Sequence, residues 1–129
     1  MKPSYDSPRG EMALRTLAMP ADTNPNGDIF GGWLLSQMDI AGGLAASQRS
    51  RGRVATVAID SMVFHMPVVV GDVLCCYVDI TRVGRTSITT NIQAWVLRQN
   101  STQREIVTEG QFTYVAIGDD RRPRPVDEA

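Results

Sequence analysis

Between Val54 and Ile117 apolar residues recur at every second position almost without pause, while only one stretch, Trp33 to about Ser50, repeats at helical spacing. A chain with one helix and one long series of strands has few ways to build a core: a single sheet must cover a single helix. The connections narrow the choice further. The strand patterns DVLCCYVDITRV, TSITTNIQAWVLR and QREIVTEGQFTYVAI are joined by Gly84-Arg85 and by residues 99–102, spacers short enough for an antiparallel meander. VGD at 70–72 makes the preceding turn, EMALRTLAM forms a first strand stopped by Pro20, and VATVAIDSMVF forms another before Pro67. The expectation is an α+β domain in which a curved antiparallel sheet wraps one long helix.

The helix carries its own information. Leu34, Met38, Ala41 and Ala45 mark its apolar stripe, and Ala, Gly and Ser crowd residues 40–47. Gly42 and Gly43 each weaken a helix by about 1 kcal/mol relative to Ala, which is tolerable where another backbone must come close. In the strand after the helix, strict alternation places Val54, Thr56, Ala58, Asp60, Met62 and Phe64 on one face and Ala55, Val57, Ile59, Ser61, Val63 and His65 on the other.

Of the 129 residues 43% are apolar, which suits one domain, set between residues 11 and 118. Residues 1–10 and 119–129 are polar and proline-bearing, so both read as mobile tails. A net charge of −1 and a pI of 5.7 leave no overall positive field for nucleic acid or an anionic membrane. No run reaches the roughly 18 apolar residues of a membrane helix, and the start lacks the apolar segment of a signal peptide, which together predict a cytoplasmic protein without membrane insertion. Cys75 and Cys76 are adjacent and point to opposite faces of a strand, so no disulfide is expected between them. With His65 as the only histidine and no CxxC pair, a structural zinc site lacks ligands.

Against this background Asp39 stands out, a carboxylate inside an apolar helix. An unpaired charge in such a setting costs several kcal/mol, so either it lies on the helix surface or it has a use. Ahead of it, Asn24-Pro25-Asn26-Gly27 is a tight turn in which Asn24 suits an Asx turn or a cap as well as chemistry. Gly31-Gly32 suits either a close approach or a positive φ. Asp28 reads as a cap for the helix. Asp60 and Ser61 interrupt their strand and face either a groove or solvent. His65, at a strand end beside Pro67, reads as structural, and with no nucleophile motif near it there is no Ser-His-Asp arrangement.

The run LRTLAMPADTNPNGDIFGGWLLSQMDIAGG, followed by GRVATVAIDSMVF, PVVVGDVLCCY and GRTSITTNIQAWV, resembles the short bacterial acyl-CoA thioesterases of the YciA type, in the hotdog-fold superfamily. The likeness spans residues 11 to 117. It implies a hotdog domain whose sheets join edge to edge in dimers, gathered as trimers of dimers, that hydrolyse acyl-CoA to a fatty acid and CoA without metal or cofactor. It places the family's helix acid at Asp39 and its turn asparagine at Asn24, the two coming from opposite subunits at a dimer interface. One departure is visible: where relatives carry an apolar and then a basic residue before the proline, this chain has His65-Met66.

Thioester hydrolysis needs an activated water, donors for the developing oxyanion, and a pocket that positions both. Asp39 offers a general base, or alternatively a nucleophile forming a mixed anhydride. Backbone N–H groups at Gly31, Gly32 and Trp33 lie at the positive end of the helix and suit the oxyanion, while Asn24 can orient water or add a donor. For the CoA phosphates the candidates are Arg85, with Thr86 and Ser87, and then Arg51 and Arg53. Phe30, Trp33, Met38 and Met62 are candidates for the acyl tunnel. Two alternatives remain: a non-catalytic acyl-CoA sensor using the same groove, and a hydroxyacyl-thioester dehydratase, which requires His65 beside Asp39.

Overall fold

The computed structural model describes residues 5–127. Strand β1 (Glu11–Leu17) leads through a single 3₁₀ turn at Pro20–Asp22 into helix α1 (Gly31–Ser50). Strands β2 (Val54–Phe64), β3 (Val73–Val83), β4 (Ser87–Leu97) and β5 (Arg104–Ala116) follow. They form one sheet in the order β1-β3-β4-β5-β2, and every neighbouring pair is antiparallel. One sheet therefore covers one helix, as the pattern of periods required.

Helix α1 starts at Gly31, two residues earlier than the apolar spacing suggests, because the Leu34 N–H already bonds the Phe30 carbonyl at 3.2 Å. It ends at Arg51, which takes the left-handed conformation (φ 59°) and donates its N–H to Ser47. Leu34, Met38, Ala41 and Ala46 pack into the main core against sheet residues such as Leu74, Ile92, Phe112 and Tyr114. Gly42 is needed here for a different reason from the one expected. The atoms nearest a Cβ at this position belong to side chains, and it would collide with the Tyr114 hydroxyl and Ile92 Cδ1.

The adjacent cysteines divide as a strand demands. Cys76 lies in the main core, while Cys75 joins Tyr77, Trp95 and Ile106 in a smaller cluster on the sheet's outer face, and both are free thiols. At the turn before β3, Gly71 takes φ 95°, and the buried Asp72 accepts the Val69 N–H at 3.0 Å and pairs with Arg98.

The segments expected to be loose are largely tied down. Arg9 donates its N–H to Gln93 (2.9 Å) and pairs with Asp79 (2.6 Å), and Tyr5 bonds Glu109 (3.1 Å). At the other end Val126 is 4% exposed and donates its N–H to the Arg85 carbonyl. The Arg124 guanidinium donates to the carbonyls of Ile117, Pro125 and Ser50, thereby satisfying a free acceptor at the end of α1. One apolar side chain and one guanidinium fork outweigh the charged, proline-rich composition. Residues 1–4 and 128–129 of the expected tails lie outside the described residues.

Strand β2 also departs from its expected alternation. Register shifts fall between Thr56 and Ala58 and between Asp60 and Val63, with Ser61 at φ 55°. As an edge strand it leaves Val57, Ile59, Val63 and Phe64 between 39% and 56% exposed. An apolar, unpaired edge of this kind is a template for another strand.

Candidate active site

Asp39 lies two turns into α1 and is half-buried. Two hydroxyls converge on its Oδ1: Thr56 Oγ1 donates from β2 at 2.7 Å, and the Tyr114 OH donates from β5 at 3.1 Å while lying 3.0 Å from the Asp39 carbonyl. Oδ2 has no partner among the described residues. Thr56 and Tyr114 are themselves register partners across β2 and β5, so the sheet presents both donors to the same point on the helix. Burial first, and then the Asp39 charge and its hydrogen bond, push the Tyr114 phenol far above its ordinary 10.0, which keeps it a donor. The carboxylate is thus a held group with one oxygen free, as a base requires.

The CoA-phosphate candidates gather toward this end of the sheet. Arg53 precedes β2 and accepts the Ile117 N–H, Thr86 accepts the Ala116 N–H, and Ser87 is register partner to Val115. The Arg53 and Arg85 side chains are exposed. Arg51 is spent differently, as the left-handed residue closing the helix, though its side chain too is exposed.

The other candidates occupy the opposite end of β2. Gly31 lies against Phe64, whose Cε1 would be 3.6 Å from a Cβ there, and Gly32 is open to solvent. The N–H groups of Gly31, Gly32 and Trp33 have no acceptor among the described residues, and Phe30 caps the helix without a side-chain bond. Asp28 therefore does not cap α1. Asn24 Oδ1 accepts the N–H groups of Asn26 (2.9 Å) and Asp28 (3.1 Å), an Asx turn, so only its amide NH₂ remains to donate elsewhere. A cleft of about 280 Å³ opens beside the helix start, lined by Ile29, Gly31, Leu34 and the run from Phe64 through His65 to Val68.

Of the acyl-tunnel candidates, Phe30 is exposed, Trp33 and Met62 are half-buried against the core, and Met38 is fully buried within it. Met62 lies over Gly110, where a Cβ would be 2.8 Å from its sulfur. His65 turns to Glu109 at 3.4 Å, in a network with Gln93 and Tyr5. It stands at the far end of β2 from Thr56, so the chain does not place an imidazole beside its own Asp39.

Thr56 and Tyr114 were not singled out by the sequence. Each sits in a strand pattern as an ordinary β-former, and only the fold reveals the shared acceptor.

The candidate residues thus fall into two groups. Gly32 and Asp39 are seven residues apart, ~10 Å of helical rise, too far for both to meet one carbonyl that demands contacts near 3 Å. Within one chain, then, the carboxylate and the free helix amides stand apart along an apolar sheet edge.

A family model for the thioesterase superfamily matches residues 26–102. The acyl-CoA thioester hydrolase YciA of Salmonella typhimurium is 54% identical over 124 residues, covering 94% of this chain and 93% of the relative. Among solved structures, a hexameric thioesterase from Yersinia pestis superposes with a TM-score of 0.91 at 54% identity, covering 95% of this chain and all of that one (100%). A hexameric hotdog fold thioesterase of Campylobacter jejuni gives 0.85 at 43% identity, with 90% of each chain covered. The chain belongs to the thioesterase superfamily, and its fold is the hotdog fold.

Proposed function

We propose that this protein hydrolyses acyl-CoA thioesters to free acid and CoA, as a homo-oligomer whose minimal unit is a dimer. One observation carries the reading: Asp39 is anchored through Thr56 near the start of the exposed β2 edge, while unpartnered helix amides lie at that strand's other end. Pairing β2 antiparallel with the same strand of a second copy sets each carboxylate against the other copy's helix start. Two equivalent complete sites result. The named activity of the Salmonella relative supports this chemistry, and the hexameric assembly of the Yersinia and Campylobacter proteins supports a trimer of such dimers.

In the mechanism, Asp39 removes a proton from a water that attacks the thioester carbon, and the negative charge moves onto the carbonyl oxygen. The amides of Gly31, Gly32 and Trp33 from the other copy hold that oxygen with fixed dipoles. Collapse breaks the carbon–sulfur bond, the CoA sulfur takes the proton that Asp39 holds, and the thiol and the free acid depart with the carboxylate restored. The free amide of Asn24 donates to the substrate carbonyl or the water. Arg85, with Thr86, Ser87 and Arg53, meets the CoA phosphates, and Phe30, Trp33 and Met62 flank the acyl chain. Each step uses side chains and backbone of this chain, with CoA as part of substrate and product. We infer a cytoplasmic setting, and among the described residues no helix is long and apolar enough to cross a membrane.

The test is thiol release from a panel of acyl-CoAs by the wild-type oligomer. Turnover supports the reading. Calorimetric binding of the same esters with no thiol released would instead make the groove a sensor.

A further inference from the structure

Resting on the hydrolase reading, we infer that Tyr114 is the positioning residue that decides which oxygen of Asp39 acts as base: Oδ1 is the anchored oxygen and Oδ2 the reactive one. The Tyr114 hydroxyl lies within hydrogen-bond distance of two acceptors of the same residue, the Asp39 carbonyl at 3.0 Å and Oδ1 at 3.1 Å. A single hydroxyl thereby ties the carboxylate to its own backbone and fixes its rotamer. Thr56 adds a second donor to the same oxygen from another strand. An oxygen that accepts two hydrogen bonds is a poorer proton acceptor than its neighbour, so the water is left to Oδ2.

The surroundings are shaped for this contact. Gly42, one turn beyond Asp39, leaves the notch through which the hydroxyl reaches the helix, since any Cβ there would occupy its place. The ring is 1% exposed and stacks on Phe112 with centroids 6.5 Å apart and planes at 12°. Burial and the adjacent carboxylate keep the phenol protonated, so its role is to donate a hydrogen bond and not to exchange a proton. Tyr114 touches Asp39 and acts through it.

The experiment is Tyr114→Phe in the full-length oligomer, which removes the hydroxyl and leaves the stacked ring. Steady-state hydrolysis of one acyl-CoA is compared with wild type, and the substitution is repeated in an Asp39→Asn background under single-turnover conditions. We expect kcat to fall about tenfold with KM within twofold, and the effect to shrink below twofold once the carboxylate is gone. A wild-type kcat, or an equal loss in both backgrounds, would overturn the assignment and leave Tyr114 a packing residue. Should Asp39→Asn alone keep full turnover, the hydrolase mechanism itself has failed, a result distinguishable from failure of the Tyr114 role.

Discussion

The Tyr114 hydroxyl occupies the space where a side chain at Gly42 would begin. Gly42→Ala gains about 1 kcal/mol of helix propensity but forces a buried ring aside, and overpacking of this kind costs about 1–3 kcal/mol. The expected outcome is a lower denaturant midpoint with an unchanged m-value, accompanied by a fall in turnover larger than the stability loss accounts for. Urea titration and steady-state kinetics on the same preparation check both.

Thr56 shares the Asp39 Oδ1 with Tyr114. Thr56→Val keeps the shape and suits a strand but deletes this hydrogen bond, so a modest loss of stability should accompany the effect on turnover. A hydrogen bond to a charged group is worth about 1.5–3 kcal/mol, and losing part of it predicts a drop of about tenfold in kcat, read by thiol release.

The β2 edge exposes Val57 at 56% and Val63 at 46%, and neither is in the apolar core of the single chain. A lysine at either position leaves the fold intact and puts a charge into the pairing surface. Sedimentation should then show smaller species, and activity should fall in parallel with dissociation, because neither half-site is complete alone.

Stability should decline in alkali. Burial first, then the Cys75 charge, push the Cys76 thiol from its ordinary 9.0 up to about 12, and Tyr114 is raised in the same sense. Above pH 9 the unfolded chain loses these protons while the folded one keeps them, so unfolding is favoured increasingly with pH. The contribution of Cys76 is complete below about pH 9 and lost by about pH 12. Denaturant midpoints measured from pH 7 to 11 should fall above 9.

What the sequence disclosed was the part written in local periods. Strand patterns separated by Gly84-Arg85 and by VGD at 70–72 specified the meander, and the small-residue run at 40–47 specified a helix that could sit close under a sheet. The boundary at Gly31 was obscured because glycines are poor helix formers, and the bulges of β2 were obscured because alternation carries no mark of a skipped residue. Asp39 was legible as an anomaly; its partners were not, since Thr56 and Tyr114 lie 17 and 75 residues away and look like routine strand residues. The docked C-terminal segment escaped for a similar reason: composition averages over Val126 and Arg124, the two residues that hold it.

The central claim is that the Asp39 carboxylate activates the water that cleaves the thioester. Asp39→Ala, folded and oligomeric as judged by melting and sedimentation, is assayed for thiol release from acyl-CoA. The account predicts a kcat about 10²–10⁴-fold below wild type with a much smaller change in KM; a kcat equal to that of wild type would contradict it.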